Sequence, residues 1–221
     1  MNDEQIFVNK VKDIFTENQK IFLLQIGAND GVMADPVHDL IINDVRISAM
    51  LIEPQKEVFS SLQKNYDIVK DRVKFLNVAI TKENGEVKLF KNTDPLGSSG
   101  HASLLLRQNE YATNFAESMY ELVDGINVST LLKNVQSFID VLVIDTEGYD
   151  IEILKQFIEQ KVFPKIIFFE RPYPSPGNDR LNIVETGNQV LEDMINKLNS
   201  FNYDIEVFSG NVLCVKKDVF C

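Results

Sequence analysis

Two carboxylates lie close together in the second half of the chain, where an aliphatic run at 139–144 ends. They are Asp145 and Glu147, separated by Thr146. Side chains two residues apart along a strand lie on the same side, so both can face one cleft. One can then contact a cofactor while the other takes a proton from a substrate hydroxyl. The alternative is that Glu147 caps a helix that begins near Gly148.

A glycine-containing loop follows another apolar run, at 21–26, and reads Gly27-Ala-Asn-Asp-Gly31. Glycine carries no Cβ, so the backbone at Gly27 and Gly31 can turn sharply and approach a ligand closely. Glu53 ends the next apolar run, about 20 residues further along the chain. A carboxylate at this separation can accept hydrogen bonds from both hydroxyls of a ribose. The two features together indicate a cofactor that contains adenosine.

The same loop argues against a dinucleotide. The G-x-G-x-x-G pattern needs its second glycine to make room for a pyrophosphate, and Asn29 stands at that place. The neighbouring Asp30 would also repel a phosphate. S-Adenosylmethionine contains adenosine without phosphate and therefore fits better. A nucleotide-dependent oxidoreductase on a similar sheet is the weaker alternative.

Histidine offers few further candidates, because the chain has only two. His101 lies in the stretch 91–108, which contains two glycines, three serines and a proline, and it can act as a general base or simply be solvated. His38 falls inside a predicted helix and is expected to be structural. Together with Asp30 and Asp35 it matches no standard set of metal ligands, so we predict no metal site.

Apolar runs of strand length alternate with segments of helical period, which predicts a mainly parallel, doubly wound α/β sheet with helices on both faces. Asp35 and Pro36 are predicted to cap and begin one of these helices. The turn 209–211 joins the last two strands and makes them antiparallel. We predict strands at 21–26, 47–52, 73–80, 86–90, 139–144, 165–169, 203–208 and 212–216, and helices at 4–17, 35–43, from Pro54, at 150–158 and around 190–198.

The segment 141–155, VLVIDTEGYDIEILK, resembles the signature of the FkbM family of S-adenosylmethionine-dependent methyltransferases. The resemblance extends to QIGANDG at 25–31, LIEP at 51–54, and NVAI at 77–80 followed by NGEVKLF at 84–90. It implies the class I methyltransferase fold, a Rossmann-like sheet of seven strands with a reversed final hairpin. It also implies S-adenosylmethionine as the cofactor and, in most relatives, a hydroxyl oxygen of a sugar or macrolide as the methyl acceptor.

The resemblance also implies roles for single residues. Glu53 would hold the ribose diol, and the backbone at Val78 and Ala79 would lie near the adenine. Many relatives carry Asp where this chain has Gln25, so the cofactor's amino group is expected to be bound differently, through backbone carbonyls or Asp145. The full set of expected cofactor contacts is Gln25, Gly27, Ala28, Asn29, Gly31, Glu53, Pro54, Ala79 and Asp145, and the candidate catalytic residues are Asp145, Glu147 and His101.

The composition fits one domain over residues 1–221, since 44% of its residues are apolar. Residues 1–20 are expected to form an N-terminal helix, and loops at 91–108 and 171–186 are expected to border the active site. The net charge of −11 disfavours nucleic acid and anionic membranes as partners. The acidic N-terminus lacks a signal-peptide pattern, which predicts a cytoplasmic protein. The acceptor is expected to be a small molecule or a glycan. The alternative to an enzyme is a non-catalytic cofactor-binding protein of the same fold. The sequence does not indicate an oligomeric state.

Overall fold

Eleven strands and six helices are present in the computed structural model, which describes residues 2–15, 19–91, 102–104, 120–172 and 180–217, with backbone alone for 180–188. His101 and most of the predicted loop at 91–108 fall outside these ranges. The helices are α1 Asp3–Ile14, α2 His38–Asn43, α3 Lys56–Asn65, α4 Val128–Leu132, α5 Asp150–Glu159 and α6 Arg180–Ser200. The strands are β1 Ile21–Ile26, β2 Ile47–Ile52, β3 Val73–Leu76, β4 Ala79–Ile80, β5 Gly85–Lys91, β6 Ala102–Ser103, β7 Tyr120–Ile126, β8 Val141–Ile144, β9 Ile166–Glu170, β10 Tyr203–Val207 and β11 Asn211–Lys216.

The larger sheet has seven strands in the order β10-β11-β9-β8-β1-β2-β3. Strand β11 pairs antiparallel with both β10 and β9, while the other neighbouring pairs are parallel. The predicted mainly parallel sheet with an antiparallel C-terminal hairpin is therefore confirmed. In the register of the three central strands, Ile26 lies beside Ile52 and Ile144. The loops after β1, β2 and β8 consequently begin at the same level of one sheet edge.

Both faces of this sheet are covered by helices, so its central strands are apolar on both sides. Helices α1, α2 and α3 pack with one face, where Leu23 lies, and α4, α5 and α6 pack with the other, where Leu24 lies. Both leucines are fully buried. On the first face Phe7 of α1 stacks on Phe168 of β9 with ring centroids 4.6 Å apart. This contact holds α1 over the middle of the sheet.

The prediction of one strand over 73–80 was wrong. Strand β3 ends at Leu76, and β4 begins at Ala79 in a second sheet with the order β4-β7-β5-β6. The side chain of Asn77 donates to the carbonyls of Glu53 and Pro54, at 2.8 and 2.9 Å. These bonds fix the chain at the end of β2 while it leaves the larger sheet. The second sheet also contains β7, which was not predicted.

Three helix starts also differ from the prediction. Helix α3 begins at Lys56 and not at Pro54, with Gln55 as its N-cap residue. Helix α2 begins at His38, and Asp35 does not cap this helix. The Asp35 carboxylate instead accepts hydrogen bonds from the Val37 N–H at 2.8 Å and from the Gln25 amide at 3.2 Å. Helix α6 begins at Arg180, so residues 180–186 are helical and not part of a loop. Within the described ranges, no helix has the length and apolar character needed to cross a membrane.

Candidate functional site

Three loops meet at the carboxyl edge of the larger sheet and are tied together by backbone hydrogen bonds. The Gly27 N–H donates to the Ile52 carbonyl at 2.9 Å, which joins the loop after β1 to the end of β2. The Asp145 N–H donates to the Ile26 carbonyl at 2.9 Å and joins the loop after β8 to β1. The predicted glycine loop, Glu53 and Asp145 are thus neighbours in space. This is the edge at which ligands bind in open α/β sheets.

Gly27 occupies a position that no other residue type fits. Its φ of +82° lies in the left-handed region, and a Cβ built there would stand 1.7 Å from the Asp145 carbonyl oxygen. The close approach of the loops after β1 and β8 therefore depends on this glycine. Gly31 also has a positive φ, but the atoms nearest its Cβ position belong to Tyr66 and Leu62 of the α3 region. Gly31 therefore allows the loop to pack against that helix.

Glu53 is only 4% exposed, and two backbone groups hold its carboxylate. Oε2 accepts a hydrogen bond from the Asn29 N–H at 3.0 Å, and Oε1 accepts one from the Gln55 N–H at 2.8 Å. Burial raises the pKa of Glu53 to about 7, and the like charge of Glu121 adds to this, against the opposing effect of the hydrogen bonds. The carboxylate is thus oriented, and its protonation changes near neutral pH.

A cavity opens between these loops, with the second sheet on one side. It is bordered by most of the predicted cofactor contacts: Gln25, Gly27, Ala28, Asn29, Glu53, Pro54, Ala79 and Asp145. Gly31 is not among the residues that line it. The apolar part of the wall includes Val78, Ile80 and Leu89. The cavity therefore offers an apolar compartment beside a carboxylate, as an adenine joined to a ribose requires.

The charge of the cavity wall is one-sided. Its described lining includes five carboxylates, Glu4, Asp35, Glu53, Asp145 and Glu147, and no Lys, Arg or His. Such a wall attracts a cation and repels a pyrophosphate. The described residues contain no group of three or more His, Cys, Asp or Glu side chains arranged to hold a metal ion. A positively charged organic cofactor such as S-adenosylmethionine therefore suits this wall better than a dinucleotide does.

The two carboxylates after β8 both border the cavity. Glu147 has a φ of +55°, a left-handed conformation that is strained for a residue with a side chain. Its carbonyl accepts a hydrogen bond from the Ser103 hydroxyl at 3.0 Å. Helix α5 begins only at Asp150, with Tyr149 as its cap residue, so Glu147 does not cap it. Of the three candidate catalytic residues, His101 lies outside the described ranges and stays a prediction.

Sequence reasoning missed a buried carboxylate behind this loop. Asp150 is 1% exposed and accepts hydrogen bonds from the Thr146 hydroxyl at 2.8 Å, the Gly148 N–H at 3.2 Å and the Glu170 N–H at 3.3 Å. Burial raises its pKa to about 6. These bonds tie the loop that carries Glu147 to strand β9. The sequence gives little signal for this role, because an acidic residue in the first helical turn is common.

Three solved structures share this fold at low sequence identity. The SAH-bound methyltransferase PaMTH1 of Podospora anserina is 13% identical, with a TM-score of 0.51 over 96% of this chain and 76% of that one. A putative caffeoyl-CoA O-methyltransferase from Staphylococcus aureus is 13% identical, with a TM-score of 0.52 over 98% and 85%. A putative rRNA-methylase from Clostridium thermocellum is 10% identical, with a TM-score of 0.52 over 98% of both chains. At such identities the likeness establishes the fold alone.

The sequence itself identifies the family. No curated protein matches the chain. The sequence model of one family, described as "Methyltransferase FkbM domain", however, matches residues 25–205. That match begins at Gln25, in the strand before the glycine loop, and ends in β10, so it includes every described residue of the candidate site except Glu4 and Asn211. Because the match covers most of the chain, the protein belongs to the FkbM methyltransferase family.

Proposed function

We propose that this methyltransferase transfers the methyl group of S-adenosylmethionine to a hydroxyl oxygen of a sugar or another small molecule without negative charge. S-Adenosylmethionine is the methyl donor of the family. The observation that carries the proposal is the cavity wall, which has five carboxylates and no basic side chain among its described residues. An acceptor with phosphate or carboxylate groups would be repelled by this wall.

The residues of the cavity fit the cofactor. Glu53 presents an oriented, buried carboxylate for the two ribose hydroxyls, and Val78, Ile80 and Leu89 give the same cavity an apolar wall for the adenine. The cofactor carries positive charge on its sulfur and on its amino group, and the acidic wall complements both charges. An NAD-type dinucleotide fits poorly, because nothing in the described wall can neutralise a pyrophosphate.

The protein's own contribution to the chemistry is alignment and proton removal. The bound cofactor supplies an electrophilic methyl group, so the acceptor oxygen needs to be held in line and to lose its proton. We assign the proton-accepting role to Glu147 and a cofactor contact to Asp145. Glu147 is held in a strained conformation beside the cavity by Ser103 and by the network of Asp150. His101 is a second candidate base.

The test is a methyl-transfer assay with a panel of neutral sugars, phenols, amines and sugar phosphates, using S-adenosylmethionine with a labelled methyl group. We expect label on hydroxyl oxygen, with neutral acceptors preferred over phosphorylated ones. Glu147→Gln should lower kcat by about 100-fold or more, because a general base contributes typically 10²–10⁴. The affinity for S-adenosylhomocysteine should stay within about twofold of the wild-type value.

Two variants serve as comparisons in this assay. Glu152→Gln alters a half-buried carboxylate of α5 that pairs with Lys155 and does not border the cavity, and it should leave kcat unchanged. His101→Ala tests the second candidate base, and a larger loss there than in Glu147→Gln would transfer the role to His101. Label found only on nitrogen or carbon would contradict O-methylation, and cofactor binding without any transfer would favour the non-catalytic alternative.

A further inference from the structure

One charge of the cofactor, that of its ammonium group, has so far only the partners that the resemblance offers, which are backbone carbonyls or Asp145. If Glu53 holds the ribose and the apolar wall near β4 holds the adenine, the amino acid end of the cofactor must extend in the opposite direction. The rest of the cavity lining includes β1, the segment that leads into α2, and Glu4 of α1. This end carries an ammonium group, which requires acceptors and favours a negative charge. That this end of the cofactor lies in the cavity rests on the proposed function.

The strand residue in this part of the wall is neutral. Gln25 is 3% exposed, and its Oε1 atom has no hydrogen-bond partner. Its Nε2 donates to Oδ1 of Asp35 at 3.2 Å, so the neutral strand residue is joined to a carboxylate ten positions later in the chain. Both side chains border the cavity. The negative charge that Gln25 lacks is therefore present beside it, on Asp35.

Asp35 is oriented by donors from three parts of the structure. Besides Gln25, the Val37 N–H donates to Oδ1 at 2.8 Å and the Tyr66 hydroxyl donates to Oδ2 at 3.3 Å. In the part of the chain that the structure describes, Asp35 has no ion-pair partner. Burial raises the pKa of its carboxyl above the ordinary value, against the lowering effect of these hydrogen bonds and of His38. A half-buried carboxylate held this firmly without a counterion is suited to a cationic ligand.

We propose that Asp35, held in place by Gln25, binds the ammonium group of the amino acid end of S-adenosylmethionine. Asp35 is better placed than Glu4, because Glu4 lies in the first turn of α1 and no hydrogen bond in the described structure orients its carboxylate toward the cavity. The role is distinct from that of Glu53, which faces the ribose.

The test compares two ligands that differ at the amino acid end. S-Adenosylhomocysteine has the ammonium and carboxylate groups, whereas 5′-methylthioadenosine has neither and keeps the adenosine. Asp35→Asn should weaken binding of S-adenosylhomocysteine about tenfold or more, since a charge-assisted hydrogen bond is lost. Binding of 5′-methylthioadenosine should change by less than about twofold. The charge of Asp35 also repels the carboxylate of S-adenosylhomocysteine. Loss of that repulsion in Asp35→Asn would strengthen binding and not weaken it.

The matched control is Asp39→Asn, which removes an exposed carboxylate of α2 that does not border the cavity and should alter neither affinity. If Asp35→Asn does not fold, Asp35→Glu, which keeps the charge but displaces it, should selectively weaken the same ligand. Equal effects on both ligands, or none, would overturn the role of Asp35 while leaving the cofactor site intact. Failure of both ligands to bind the wild-type protein would refute the proposed function and this inference together.

Discussion

Replacing Gly27 with alanine is expected to abolish binding of S-adenosylhomocysteine and to lower the free energy of unfolding by about 3 kcal/mol or more. The new Cβ would lie 1.7 Å from the Asp145 carbonyl oxygen and 2.7 Å from the carbonyl carbon. No contact of that length is possible, so the loops after β1 and β8 must separate. Calorimetric titration measures the affinity, and urea denaturation measures the stability.

Gly85→Ala is the matched control for this variant. Gly85 also has a positive φ, +144°, but nothing lies within 4 Å of the position of a Cβ. It does not border the cavity. We expect a loss of about 1 kcal/mol from backbone strain and an unchanged affinity for the ligand. A Gly27→Ala protein as stable as the wild type and with wild-type affinity would contradict the close approach of the loops after β1 and β8 at Gly27.

Replacing Glu53 with glutamine should weaken S-adenosylhomocysteine at least tenfold. The variant has about the same shape, but its amide cannot accept hydrogen bonds on both sides, and the backbone N–H groups of Asn29 and Gln55 already use both carboxylate oxygens. Removal of the charge also weakens the hydrogen bonds expected from the ribose hydroxyls. Isothermal titration calorimetry at pH 8 gives the difference, and a thermal melt shows whether the variant is folded.

The pH dependence of the wild-type protein offers an independent view of the same group. The pKa of Glu53 is about 7, so the carboxylate is ionised above that pH and protonated below it. Since the ionised form is the better acceptor for two hydroxyls, affinity should be highest above pH 7 and fall by up to about tenfold per pH unit below it. The fall should be much smaller in Glu53→Gln.

Asp140→Asn is the control for the Glu53 variant. Asp140 is also buried, but it lies at the opposite end of β8, where it accepts from the Phe22 N–H and pairs with Lys165. Its replacement should lower stability without changing the affinity for the ligand. If Glu53→Gln binds as tightly as the wild type at pH 8, Glu53 does not hold the ribose.

The larger sheet could be predicted because its strands are short apolar runs with clear ends. Gly27 ends β1 and Glu53 follows β2, so both positions could be assigned to the ligand edge from sequence alone. Strand β7 was missed because it is half-exposed: Leu122 is 55% exposed and Tyr120 is 40% exposed. A strand of this kind has a weak hydrophobic pattern, and its partners β5 and β4 lie far away in the sequence.

The candidate site could be predicted only where a residue's place follows from the end of a strand. Asp35 was interpreted as a helix cap, since Asp before Pro commonly begins a helix. Its actual contacts come from Gln25, Val37 and Tyr66, and two of these donors lie at positions that no local pattern connects to Asp35. Asp150 and Ser103 are similar cases, because their hydrogen bonds join segments that only the folded chain brings together.

We infer that the cavity between the loops after β1, β2 and β8 binds the methyl donor. The most direct test is calorimetric titration of the wild-type protein with S-adenosylhomocysteine, paired with a thermal melt. We expect saturable binding at one site and a melting temperature that rises with ligand concentration, because a ligand that binds the native state stabilises it. No heat of binding and no change in melting temperature at millimolar ligand would contradict it.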